Sequence, residues 1–151
     1  MRKINTLGFF SILGLLIVIP TLFVIKFIPS ETHYKTVKIS DVSIKAEVAD
    51  TLAKRIEGLM SKKSLPEKEG MLFIFNEENH HGIWMLNMSF PIDILWVNKN
   101  LEIVDITEDV QPCKINCPVY LPDERALYVL EVNSGFTKKN KLQIGDTIAI
   151  S

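Results

Sequence analysis

The hydrophobic and polar positions divide the chain into two unequal parts. The first holds an uncharged, mostly apolar run of 22 residues, Ile4 to Ile25, flanked by Lys3 and Lys26. A helix needs ~20 largely apolar residues to cross the ~30 Å hydrocarbon core of a bilayer. The apolar core of a signal peptide is shorter, and no Ala-x-Ala-like cleavage site follows the run. The pattern therefore predicts a transmembrane anchor within residues 1–29, with a cleaved signal as the alternative.

Charges around this run set its expected orientation. Arg2 and Lys3 precede it, which favours a cytoplasmic N-terminus, although Lys26 and Lys35 on the far side weaken the asymmetry. We therefore expect a single-pass protein of the cell membrane whose body lies outside, in a periplasmic or extracellular compartment. The lipid bilayer is its expected partner, through residues 4–25.

After a polar spacer over residues 30–36, the pattern changes to short stretches with the alternation of β-strands. Residues 43–48 alternate most clearly, and Leu52 to Glu57 form a short helix between the N-cap pair Asp50-Thr51 and Gly58. Polar loops are expected over residues 76–82 and 108–124, and a second short helix from about residue 134 to 142. About seven strands are expected, drawn from residues 35–39, 43–48, 71–75, 83–85, 92–97, 102–106, 126–132 and 147–150.

These elements predict a single globular domain over residues 37–151, a compact and mostly antiparallel β-sandwich or barrel. Without Arg2, Lys3 and Lys26, the 17 basic residues become 14 over residues 31–151, against 18 acidic ones, so this part of the chain carries a net charge of −4. A mildly acidic body with no basic stripe argues against nucleic acid as a partner.

Two carboxylates fall inside strands that are apolar on both faces. Asp93 lies in the run 92–97, and Glu131 lies in the run 126–132. A buried carboxylate must find a partner or become neutral. The pair can be a general acid and base. The pattern favours the alternative, in which each is a structural acceptor for loop amides.

The segment from Trp84 to Met88 is the second candidate for a site. Trp84 and Met85 can line the floor of an apolar pocket, with Asn87 as the polar group that orients a ligand. The residue types favour the alternative, in which tryptophan and methionine fill a core.

The two cysteines, Cys113 and Cys117, are separated by three residues, so they do not form a thioredoxin-type motif. In an oxidising compartment, such a pair predicts a structural disulfide. A Cu(I) site built with nearby thioethers is the weaker alternative. His80 and His81 are expected in a solvated loop. The sequence thus predicts no cofactor and no metal site.

A series of short motifs runs in order through residues 43–150: Asp50-Thr51, Arg55-x-x-Gly58-Leu59-Met60, Leu65-Pro66, Gly70-Met71-Leu72-Phe73-Ile74-Phe75, Trp84-Met85-x-Asn87, Pro91-Ile92-Asp93, Val129-Leu130-Glu131-Val132, Gly135 and Gly145-Asp146. In this order the motifs resemble the domain of unknown function 192 family. That resemblance implies a small, mainly β domain, often exported or lipid-anchored, with no established activity. The family pattern has threonine where this chain has Met88, and it does not include the cysteine pair.

Three functions remain open at this point. The first is a binding or accessory module for a small molecule, a glycan or an envelope protein. The second is a hydrolase that uses Asp93 and Glu131, and the third is a copper or redox module that uses Cys113 and Cys117. The candidate pocket residues are Trp84, Met85, Asn87, Asp93 and Glu131.

Overall fold

The computed structural model describes residues 32–151, so the predicted anchor lies outside the described residues. Within that range, none of the helices has the length and apolar character needed to span a bilayer. The described elements are β1 (Tyr34–Ile39), β2 (Val42–Ala49), α1 (Leu52–Glu57), β3 (Glu69–Asn79), β4 (Ile83–Trp84), β5 (Ile92–Val97), β6 (Ile103–Val110), β7 (Val119–Tyr120), β8 (Ala126–Asn133), α2 (Phe136–Asn140) and β9 (Ile148–Ile150).

Seven strands form one sheet in the order β6-β5-β8-β3-β2-β1-β9, and β4 pairs with β7 in a separate ribbon. The sheet curls into a half-barrel, and its two edge strands, β6 and β9, come close together. There, the Ile103 N–H donates to the Asp146 carbonyl and the Ile148 N–H donates to the Leu101 carbonyl, each at 2.8 Å. The expectation of a mainly β domain with two short helices is therefore confirmed.

Of the two expected arrangements, the structure is nearer to the barrel than to the sandwich, because the body is a single curled sheet with a small ribbon and not two stacked sheets. The strand pairs are mostly antiparallel, as expected, with β2–β3 as the parallel exception. Parallel pairing requires a crossover connection, and here α1 with residues 58–68 returns the chain to the start of β2.

The predicted bounds of α1 are correct, whereas the predicted C-terminal ends of β3 and β6 come several residues before the observed ends. The Lys54 N–H donates to Thr51 Oγ1 at 3.3 Å, and Gly58 has a φ of +50°, so both helix ends are as expected. β3 continues to Asn79 and β6 continues to Val110, into the two predicted loops. Each of these strand ends is partly exposed and carries polar side chains, so the sequence pattern there is typical of a loop.

Two hydrophobic cores lie on opposite faces of the sheet. Because β5 contributes to both, all six of its residues are buried, as its sequence predicts. The second core fills the half-barrel and includes Leu95, Leu130, Val132, Phe136 and Leu142. The first core lies on the face covered by α1 and the β4–β7 ribbon and includes Leu59, Met71, Phe73, Ile83, Met85, Met88, Ile94, Trp96 and Val129.

Candidate functional site

A groove runs over the first core between α1 and the β4–β7 ribbon. Its outer part has a volume of about 250 Å³, and its inner part has a volume of about 50 Å³. The two parts adjoin each other, since six residues line both: Arg55, Ile56, Phe73, Gly82, Ile83 and Trp84. The outer part is mainly apolar, and the inner part reaches a carboxyl group.

That carboxyl belongs to Glu131, which is 4% exposed and lines the inner part of the groove. In the sheet, Glu131 lies opposite Ile94 of β5 and Met71 of β3, so apolar residues flank it on both sides. Burial raises the pKa of the Glu131 carboxyl from 4.5 to about 8, and no hydrogen bond or nearby charge offsets this effect. At pH 7 this group is therefore mainly a neutral acid.

Met88 also lines the inner part of the groove and is buried. The Met88 thioether is only a weak hydrogen-bond acceptor. Met88 thus adds apolar lining to the inner groove beside Glu131.

Arg55 connects α1 to β3 along the edge of the groove. Its Nη1 donates to the Asp50 carbonyl at 2.7 Å and to the Ile74 carbonyl at 2.9 Å. The guanidinium lies 5.1 Å from the centre of the Phe75 ring, whose other neighbour is His81, stacked at 3.5 Å. Arg55 was not among the candidate site residues, although the motif Arg-x-x-Gly contained the signal.

The Trp84 segment divides between groove, core and turn. Trp84 is 44% exposed and lines both parts of the groove, whereas Met85 is buried in the first core. Asn87 has a φ of +57° in a turn closed by the Met88 N–H and the Met85 carbonyl at 3.2 Å. Asparagine tolerates this left-handed conformation better than most residues, which gives the motif's asparagine a backbone role.

Asp93 is fully buried and is a structural acceptor outside the groove. Its Oδ1 accepts from the Asp109 N–H at 2.9 Å and the Gly135 N–H at 3.1 Å. Its Oδ2 accepts from the Thr137 N–H at 2.9 Å and the Thr137 hydroxyl at 2.7 Å. Asp93 thereby fixes the start of α2 against the sheet, as the structural alternative predicted.

The acid–base interpretation of Asp93 and Glu131 is wrong. Asp93 pairs with Val132 of the second core, and Glu131 pairs with Ile94 of the first. Since neighbouring residues on a strand point to opposite faces, the two carboxyls are separated by the sheet. They cannot act on one substrate bond.

Cys113 and Cys117 lie at disulfide distance, with a Cα–Cα separation of 5.6 Å. When they are bonded, neither offers a thiolate to copper. Each histidine in the pair bonds a backbone carbonyl: His80 Nδ1 lies 2.9 Å from the Pro122 oxygen, and His81 Nε2 lies 2.9 Å from the Glu77 oxygen. One ring nitrogen of each histidine is therefore used in a contact with the backbone.

Comparison with known proteins identifies relatives but no reaction. Residues 35–150 match the family DUF192, described as an uncharacterized ACR. The chain is 33% identical over 106 residues to a UPF0127 protein of Pyrococcus horikoshii, covering 67% of this chain and 83% of that protein. The resemblance drawn from the motifs is thereby confirmed.

Two solved structures share the fold. One, named "putative transcription regulator", is from Sinorhizobium meliloti, with a TM-score of 0.71, 26% identity, and coverage of 80% of this chain and 94% of that one. The other is a protein of unknown function from Novosphingobium aromaticivorans, with a TM-score of 0.69, 27% identity, and coverage of 78% and 84%.

Proposed function

The chain belongs to the DUF192 family of uncharacterised proteins, and we propose that it is a membrane-anchored, extracytoplasmic binding module. Its groove takes a small ligand that has an apolar body and a positively charged end group. The end group meets Glu131, and the apolar body lies between α1 and the β4–β7 ribbon.

The observation that carries this proposal is the position of the Glu131 carboxyl, which is 4% exposed and lines the inner groove. A strongly shifted group in a cleft is a candidate for function. Glu131 meets this condition, because burial raises its pKa and the residue lines the inner groove.

The charge of the ligand follows from the electrostatics of the inner groove. A cation favours the ionised form of a nearby carboxyl and lowers its pKa. When an ammonium group binds, the neutral Glu131 acid therefore loses its proton to solvent, and the resulting carboxylate pairs with the cation. A carboxylate ligand lacks this gain, because a nearby negative charge raises the pKa of Glu131 further and keeps it neutral.

The size of the ligand follows from the groove. Its volumes of about 250 and 50 Å³ are at or below the low end of the usual ~300–1,000 Å³ range for ligand pockets. A short alkylamine, or the aminoalkyl end of a larger molecule, fits such a space better than a nucleotide or an oligosaccharide.

Calorimetry with three probes of equal chain length tests the binding proposal. n-Butylammonium, n-butanol and butyrate are titrated into the full chain in phosphatidylcholine nanodiscs, with empty nanodiscs as the blank. We expect binding of butylammonium only, lost in Glu131→Gln and retained in Glu57→Gln, whose exposed carboxyl lines the same cavity. Equal binding of the three probes, or unchanged binding by Glu131→Gln, would contradict the proposal.

The extracytoplasmic position rests on the uncharged run of residues 4–25 and is supported by the cysteine pair, since disulfides persist in oxidising compartments. Ser61→Cys places a thiol on an exposed turn of the body. In intact cells, a membrane-impermeant maleimide should label this variant and leave the wild type unlabelled. Labelling that appears only after lysis would place the body in the cytoplasm.

A further inference from the structure

The rim of the groove carries a cluster of exposed apolar side chains from two elements. Leu52 and Ile56 of α1 are 68% and 54% exposed, and across the groove Trp84 and Val119 are also exposed. Leu121 extends the cluster, because its side chain and that of Val119 both lie against Gly82. Contiguous exposed apolar surface of this kind marks a site of association.

The chain enters the body beside this rim. The Val48 N–H donates to the His33 carbonyl at 3.0 Å, and His33 Nε2 lies 3.4 Å from Asp50 Oδ2. Asp50 immediately precedes Thr51, the N-cap of α1. The described chain therefore begins next to the end of α1 from which Leu52 projects.

A short connection limits how far this end can lie from a bilayer. Residues 26–33 separate the proposed anchor from β1, and eight extended residues span at most ~27 Å. A connection of this length allows the beginning of α1 and the apolar rim to reach the lipid surface.

We infer that the rim formed by Leu52, Ile56, Trp84, Val119 and Leu121 docks on the outer leaflet of the lipid bilayer, with the mouth of the groove towards the lipid. The inference depends on the proposed anchor in residues 4–25. Tryptophan prefers the membrane interface, and the remaining rim residues are aliphatic. Docking would bring ligands dissolved in the leaflet directly to the groove.

Fluorescence quenching by brominated phosphatidylcholine tests the docking. The full chain is reconstituted in liposomes with brominated or ordinary acyl chains. The chain has two tryptophans, and Trp96 is fully buried. The difference between the wild type and Trp84→Phe therefore isolates the emission of Trp84. We expect brominated lipid to quench Trp84 strongly and to leave the emission of Trp84→Phe unchanged.

Two further variants show whether quenching of Trp84 requires the apolar rim or only a body that is tethered near the bilayer. Leu52→Ser with Ile56→Ser should release the rim and abolish most of the Trp84 quenching. Ile144→Ser changes a side chain that is 64% exposed and outside the groove lining, so it should leave quenching unchanged.

Three outcomes would overturn the inference, and they are distinguishable. If the chain floats with the liposomes but Trp84 is not quenched, docking fails and the anchor stands. If the chain does not float with the liposomes, the anchor fails and docking fails with it. If the emission of Trp84 depends on protein concentration and not on bromine, a second copy of the chain covers the rim instead.

Discussion

Asp93 and Glu131 lie one register position apart on the neighbouring strands β5 and β8, yet their side chains are on opposite faces of the sheet. Asp93 accepts four hydrogen bonds below α2, whereas the carboxyl of Glu131 lines the groove above the first core. Two carboxyls that look alike in the sequence thus have different surroundings. Asp93 stabilises the fold, and Glu131 is the proposed binding group.

Replacing Asp93 should destabilise the body without affecting the groove. Asp93→Asn replaces one acceptor oxygen with an amide that cannot accept hydrogen bonds from Thr137. Leaving buried donors unpaired costs ~1–3 kcal/mol each, so we expect a loss of about 2–4 kcal/mol in the free energy of unfolding. Denaturant titration measures this, with the exposed Asp41→Asn as the matched control. A loss below about 0.5 kcal/mol, or loss of butylammonium binding at full stability, would contradict the structural role.

Gly70 of the Gly-Met-Leu-Phe motif is required by close packing. A Cβ atom at Gly70 would lie 2.7 Å from the Glu131 carbonyl oxygen and 3.2 Å from Ile44 Cγ2. Because the nearest atom belongs to the backbone of β8, Gly70→Ala must separate strands, at a cost of ~1–3 kcal/mol. Gly82→Ala is the comparison, since there the nearest atoms are side-chain methyls at the exposed rim. Thermal unfolding should rank Gly70→Ala as the less stable variant, and the reverse order would contradict this assignment.

The raised pKa of Glu131 should make stability depend on pH. The unfolded carboxyl titrates near 4.5 and the folded one near 8. Between these values the folded state holds the extra proton, so stability falls as pH rises, by up to ~1.4 kcal/mol per unit, and levels off above pH 8. Urea titrations from pH 5 to 9 should show this slope in the wild type and in Glu57→Gln but not in Glu131→Gln. An identical dependence of stability on pH in the wild type and in Glu131→Gln would contradict a raised pKa at Glu131.

The disulfide should have a local effect only. Backbone bonds already hold its loop, since the Cys113 N–H donates to the Met85 carbonyl at 3.0 Å and the Asn87 N–H donates to the Cys113 carbonyl at 2.9 Å. Closing so short a loop stabilises the fold by about 2 kcal/mol at most. Cys113→Ser and Cys117→Ser should therefore lose no more than this, with unchanged butylammonium affinity. Binding of Cu(I) by the reduced wild type that Cys113→Ser abolishes would instead favour the copper interpretation.

Local patterns predicted more of the fold than of the site. The alternation around Ile44, the N-cap Thr51 and the largely apolar run of β5 are each signals within a few residues, so α1 and most strands were predictable. The parallel β2–β3 pair and the curl of the sheet depend on which strands become neighbours. That choice is made by packing between distant segments and leaves no local pattern.

The candidate site shows the same limit. Sequence reasoning found Glu131, Trp84 and Asp93 because a carboxylate or an indole stands out in an apolar stretch. It left an acid–base pair of Asp93 and Glu131 open, because nothing in either strand indicates which of its faces lines the interior of the half-barrel. It overlooked Arg55, whose role depends on the carbonyl of Ile74, 19 residues away.

A carboxyl-carbon NMR titration of Glu131 tests the proposed binding group most directly. The full chain in nanodiscs carries ¹³C-labelled glutamate, and the signal missing from Glu131→Gln assigns the residue. Without ligand, its midpoint should lie near pH 8, and saturating n-butylammonium should lower that midpoint. A midpoint near the ordinary 4.5, or one that butylammonium does not move, would contradict the claim that Glu131 is neutral in the free protein and ionises when a cation binds.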